Sequence, residues 1–151
     1  MKSLIAIFAL SFSFGALACP NLTGVYNTCA VESTLPGKIE VESIAIAQFV
    51  DERGVTHFVL TSTDPRGADA KAVVADGKAV VKTEASQGVT QVTSSTSTCE
   101  GNALITIMNV KATSEQGEAS FLGLETVEKR DGTLFLEIFY SEASKAVIRC
   151  R

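Results

Sequence analysis

From residue 21 to the end of the chain, apolar and polar residues alternate in short lengths separated by turn residues. Alternation with a period of two puts one row of side chains into a core and the next into solvent, the signature of a half-buried strand. Leu22 to Cys29 is the first such length. Lys38 to Val50 is a longer second one, with Ile39, Val41, Ile44 and Ile46 as its apolar row and a change of phase at Glu42-Ser43 that predicts a bulge. Asp51-Glu52-Arg53-Gly54 turns the chain into Val55 to Thr61, and Asp64-Pro65-Arg66-Gly67 reads as a loop. Lys71 to Ala75 and Lys78 to Glu84 flank Asp76-Gly77, a pair that favours a two-residue primed hairpin turn.

The second half repeats the pattern. Val89 to Cys99 is rich in Ser and Thr; Glu100-Gly101-Asn102 leads into Ala103 to Thr113, and Glu115-Gln116-Gly117 into Ala119 to Arg130. Asp131-Gly132 is a second tight hairpin signal before Thr133 to Tyr140, and Lys145 to Arg151 closes the chain. Helix is confined to one turn at most, over Ser141 to Ala146. Short connections force antiparallel neighbours, because a parallel crossover needs a dozen or more residues. Consecutive hairpins with unprotected edges favour closure, so the pattern predicts an all-β, antiparallel up-and-down β-barrel of about eight to nine strands. A β-sandwich is the alternative, with Ser62 to Ala70 as the long return that a Greek key needs.

The N-terminus has a different character. Lys2 is followed by an uncharged apolar run, Leu4 to Leu17, of signal-peptide length and too short for an ordinary membrane span. Ala16-Leu17-Ala18 supplies a small-x-small cleavage site, which places the cut between Ala18 and Cys19. The expected organisation is a signal peptide over 1–18 and a single β-barrel domain over 19–151, secreted or periplasmic. A lipid anchor on Cys19 is the competing reading, but Ala16 stands where a lipobox has Leu and Leu17 where it has a small residue. No later segment is long and apolar enough to span a bilayer as a helix, so no transmembrane segment is expected.

The formal charge of −4 is spread over interspersed acids and bases without a basic cluster, which excludes the electrostatic footprint of a nucleic-acid binder. The four cysteines, Cys19, Cys29, Cys99 and Cys150, make two pairs, and lipidation of Cys19 would leave an odd thiol. Among the three connectivities the local one is preferred, Cys19 with Cys29 and Cys99 with Cys150. There is no C-x-x-C, and His57 is the only histidine, so no metal site is expected.

Candidate chemistry is sparse. His57 lies inside a strand between Thr56 and Phe58 with no nucleophile beside it, and reads as a surface histidine. Glu125 or Glu128 could pair with Glu137 across strands, although opposed carboxylates are more often solvated outward residues. No catalytic residue and no cofactor site is assigned, and the reading leans away from an enzyme. Within Thr93 to Thr98, alternation puts Thr93, Ser95 and Ser97 on one face and Ser94, Thr96 and Thr98 on the other. One of those hydroxyl rows would line a barrel lumen; a soluble edge strand is the plainer reading. Leu134, Leu136, Ile138 and Tyr140 share one face of a late strand, and Phe135, Glu137 and Phe139 the other, so apolar groups lie on both.

Cys19-Pro20-Asn21-Leu22-Thr23-Gly24-Val25-Tyr26 resembles the opening of calycin barrels, the lipocalin and avidin families. Their first strand carries an L-x-G-x-W-like pattern in which Gly lets an aromatic side chain plug the barrel end. Leu22, Gly24 and Tyr26 occupy the matching places, with Tyr in place of Trp. The resemblance implies a small-ligand barrel. The chain has no tryptophan, so a biotin site does not carry over, and the long helix that lipocalins place after the barrel has no counterpart.

The chain therefore reads as a secreted or periplasmic non-catalytic binding protein that holds a small apolar or amphipathic ligand in a β-barrel. An envelope or secreted protein-interaction or inhibitor domain with a filled barrel is the alternative, and an enzyme of unknown type comes third.

Overall fold

A computed structural model describes residues 18–151 of the protein; residues 1–17 of the signal peptide expected over 1–18 lie outside them. Eleven strands account for most of the described chain, with no helix among them. One sheet has four strands in the order β1 (Gly24–Tyr26), β3 (Ser43–Val50), β4 (Thr56–Asp64) and β5 (Gly67–Val74). The other has seven, in the order β2 (Cys29–Ser33), β11 (Ser144–Cys150), β10 (Thr133–Ser141), β9 (Gly117–Arg130), β8 (Ala103–Ser114), β7 (Val89–Glu100) and β6 (Ala79–Ser86). Every neighbouring pair is antiparallel.

The all-β antiparallel expectation holds, and closure does not follow. Neither sheet closes on itself, and the layout fits the sandwich alternative. The chain passes from one sheet to the other three times, between β1 and β2, back between β2 and β3, and again between β5 and β6. The first break splits the expected strand Leu22 to Cys29. At Asn27-Thr28 the chain changes sheets, and the carbonyl of Arg151, just past β11, accepts from both amides at 2.8 and 3.3 Å.

The last break falls at Asp76-Gly77, which sequence marks as a hairpin. Gly77 has φ 69°, as a tight turn requires, yet the turn joins two sheets instead of two paired strands. Charge opposes such a hairpin. A two-residue loop there would set Lys71 opposite Lys82 and Asp69 opposite Glu84, and like charges directly opposed destabilise a ladder. The presumed loop over Ser62 to Ala70 is instead a two-residue turn, with β4 and β5 paired up to Asp64 and Gly67. Lys38 to Glu42 stays outside β3, so the predicted bulge is in fact the start of that strand. Asp131-Gly132 behaves as expected, with φ 49° and 80° in the primed turn that joins β9 to β10.

The cysteine pairing is corrected too. Cys19 joins Cys99 and Cys29 joins Cys150, instead of the local pairs. Once β2 lies beside β11, Cys29 and Cys150 are directly opposite in the register, with Cα atoms 4.1 Å apart. The other bridge ties the segment before β1 to β7, and so fastens the two sheets across one end.

Around these bridges the inner faces pack into one core. Leu22, Tyr26, Ile44, Ile46, Phe58 and Leu60 meet Leu104, Val127, Leu134 and Ile148, with Cys150 among them. The seven-stranded sheet extends beyond this core: all of β6 and the first six residues of β9 are exposed. One end of the inter-sheet space is filled, and the other is open.

The β3–β4 turn carries its own pH dependence. Asp51 Oδ1 accepts from the Val55 and Arg53 amides at 3.0 and 2.9 Å, and Oδ2 lies 3.1 Å from His57 Nε2. The Val55 amide first, then His57, holds the Asp51 carboxyl far below the usual carboxylate range. A lowered carboxyl contributes stability in full above its unfolded value, near 3.9, and loses it as pH falls towards the folded value. Acidification from about pH 5 to about pH 2 is therefore expected to lower the melting temperature more in the native protein than in Asp51→Asn. Equal acid sensitivity would contradict this.

Candidate functional site

The open end presents an inner face that grades from polar to apolar. Registers place Ser97 opposite Thr106, and Thr106 opposite Glu125, so all three point between the sheets. The Ser97 and Thr106 hydroxyls are 2.9 Å apart and buried. From the other sheet Lys71 on β5 reaches across, and its Nζ donates to both Glu125 oxygens at 2.9 and 2.8 Å. This ion pair is the polar strut between the layers. Beside it lies a cleft of about 150 Å³, lined by Lys71, Val73, Lys78, Val80, Ser95, Ser97 and Thr106. The hydroxyl row that faces inward is thus Thr93, Ser95 and Ser97.

Further along the same face the β8–β10 side of the lining becomes apolar, while β6 and β7 beside it present Lys82, Glu84, Gln91 and Thr93. Met108 lies opposite Gly123 and Val110 opposite Phe121. The Tyr140 ring crosses the strand at Gly123 and meets Phe121 edge-on at 5.4 Å. Burial, with the Glu125 charge nearby, raises the Tyr140 phenol above its ordinary pKa. A Cβ on Gly123 would lie 2.6 Å from Tyr140 Cε1, so no side chain fits there while the ring keeps its place. Gly123→Val is expected to displace Tyr140 and destabilise the fold by about 1–3 kcal/mol, the range for overpacking. An unchanged urea midpoint together with unchanged Tyr140 ring resonances would contradict that placement.

The closed end is formed by the residues that carried the family resemblance. Leu22 and Tyr26 are buried, and the Tyr26 hydroxyl donates to the Leu22 carbonyl at 2.8 Å. A Cβ on Gly24 would lie 3.0 Å from the Tyr26 ring, which folds back over this glycine. Lys129 caps the ring from outside, 5.7 Å from its centroid. The plug geometry is present, but it plugs a two-sheet structure and not a closed barrel. No known protein family, curated protein or solved structure matches the chain.

The remaining candidates stay apart. His57 is on the outer face of the four-stranded sheet, stacked on Phe49 at 4.8 Å and paired with Asp51, with no nucleophile in its contacts. Glu125 points inward, whereas Glu137 lies opposite Thr126 and Glu128 opposite Phe135, on the outer face. No carboxylate pair forms from these three, and Glu128 is engaged by Arg130. Among the described residues no group of His, Cys, Asp and Glu is placed to hold a metal.

The structure also gives Phe139 its setting. Ile107, Leu124 and Phe139 stand side by side across β8, β9 and β10 on the outer face, 50%, 38% and 38% exposed. The two-faced apolar pattern around Phe135 and Phe139 hints at such a row, whereas Lys71 and Gly123 give no local signal and Glu125 stands out only as a partner for Glu137.

Proposed function

We propose that the protein is an exported, non-catalytic binding protein that takes a small amphipathic ligand in the cleft at its open end. The observation that carries this reading is the graded inner face, from the Lys71–Glu125 strut and the Ser97–Thr106 hydroxyls to Met108, Phe121 and Tyr140. Size decides the kind of ligand. Pockets that enclose a whole drug-sized ligand measure roughly 300–1,000 Å³. The cleft of about 150 Å³ accommodates a polar head group, while an apolar remainder lies along the half-exposed Phe121. Export is supported by the Leu4 to Leu17 run and by two disulfides, which persist in oxidising compartments. Among the described residues no helix is long and apolar enough to cross a membrane.

A second reading is favoured by the outer-face row Ile107, Leu124 and Phe139, which would meet an apolar surface of a partner protein. One experiment separates the two. An anionic naphthalene-sulfonate dye, itself amphipathic, is titrated into the native protein, Phe121→Ser and Phe139→Ser. The cleft reading expects saturable enhancement lost in Phe121→Ser and kept in Phe139→Ser. The reverse pattern favours the outer face, and no enhancement in the native protein contradicts the ligand reading.

A further inference from the structure

The edge strand β6 has no proline, bulge or covering element. Its hydrogen-bonded neighbour is β7 alone, its ladder is continuous from Ala79 to Ser86, and every one of its eight residues is exposed. Natural edges of this length are blunted by proline, a bulge, a cover or charged side chains, because an open row of N–H and C=O groups templates another strand. Here there is no proline and no register shift, and β5 leaves the strand uncovered. What β6 does carry is a charge pattern that reads the same from both ends. Lys82 and Glu84 point to the inner face and flank Thr83 on the outer face, with Val81 and Ala85 beyond.

We propose that β6 pairs antiparallel with β6 of a second copy, on a two-fold axis through Thr83. In that register Lys82 of each copy lies opposite Glu84 of the other, Thr83 opposite Thr83, and Val81 opposite Ala85. Opposite charges and Thr–Thr pairs directly across a ladder are favourable, and like charges are unfavourable. The neighbouring registers that keep the inner faces together fail on this ground. A shift one way puts Lys82 against Lys82, and a shift the other way puts Glu84 against Glu84. Charge thus selects one register out of three. The edge strand β5 offers a similar Asp69 and Lys71 pair, but its Lys71 is held by Glu125 of the opposite sheet, whereas Lys82 pairs with Glu84 of its own strand and both stay exposed for exchange with a second copy. The axis stands normal to the sheet, so the two seven-stranded sheets become one continuous sheet and the association is closed at two copies.

The test is the oligomeric state of the full exported chain, by sedimentation and by light scattering on a sizing column. The native protein is expected to dimerise with rising concentration. Lys82→Glu and Glu84→Lys each create two like-charge oppositions and are expected to weaken the dimer about tenfold or more. Circular dichroism and melting temperature establish that each variant is folded, as expected for exposed positions. The two variants mixed together are expected to form a heterodimer, because each then supplies the charge the other lacks. The double variant Lys82→Glu, Glu84→Lys is expected to dimerise like the native protein. A native protein that stays monomeric at millimolar concentration overturns the proposal. So do single variants that dimerise as the native protein does, and a mixture that forms no heterodimer.

Discussion

Replacing Cys29 and Cys150 together by Ala is expected to destabilise the protein by about 2–5 kcal/mol, the general range for a native bridge. The two residues are 121 positions apart, and closing a loop of that length in the unfolded chain corresponds to about 5 kcal/mol on the chain-entropy estimate. The bridge also closes the joint where the chain leaves the four-stranded sheet at Asn27-Thr28 and enters β2. Typical domains have only 5–15 kcal/mol in total, so the urea midpoint should fall by a large fraction of its value. Peptide mapping without reduction should recover Cys29 with Cys150 and Cys19 with Cys99. Recovery of Cys19 with Cys29 would contradict the account of how β2 reaches the larger sheet.

Phe58→Ala is expected to have the second large effect, about 3–5 kcal/mol, because the ring is fully buried and its removal leaves a cavity. Phe58 lies opposite Gln48 and Val73, at the centre of the four-stranded sheet, and faces the residues of the larger one. Phe121→Ala serves as the comparison. That ring is 47% exposed at the open end, and its loss is expected to change stability by less than about 1 kcal/mol. The contrast tests the division of the inter-sheet space into a filled end and an open one. Similar losses in the two variants would mean that the open end is packed as well.

The strands and most turns were legible because a period-two pattern and the pairs around Asp131-Gly132 are local signals. Sheet membership was not, since it depends on which strands refuse to pair. Two traces of it are nevertheless present in the chain. The inward row runs Gly24, Tyr26 and then Cys29, Val31, so its phase slips at Asn27-Thr28 where the sheet changes. Across Asp76-Gly77, the like charges Lys71 and Lys82 argue against the hairpin that the turn residues suggest. The disulfide pairing followed from the first slip, and a preference for short loops led away from it.

At the open end, the Ser95 and Ser97 row could be read from alternation, and so could the shared face of Ile138 and Tyr140. The Lys71–Glu125 pair could not. It joins residues 54 positions apart on different sheets; Lys71 does not stand out among the interspersed charges, and Glu125 does so only as a partner for Glu137. Gly123 was equally silent, because its role is to leave room for a ring brought in by the next strand.

The most direct measurement is native against denaturing mass spectrometry on protein recovered from its own exported fraction, with Phe121→Ser in parallel. The account predicts a chain beginning at Cys19, four hydrogens lighter than the reduced mass, that carries extra mass under native conditions. That mass should leave on denaturation and be missing from the Phe121→Ser variant. A native protein with no passenger, or a passenger retained by Phe121→Ser, would contradict the assignment of the cleft as the ligand seat.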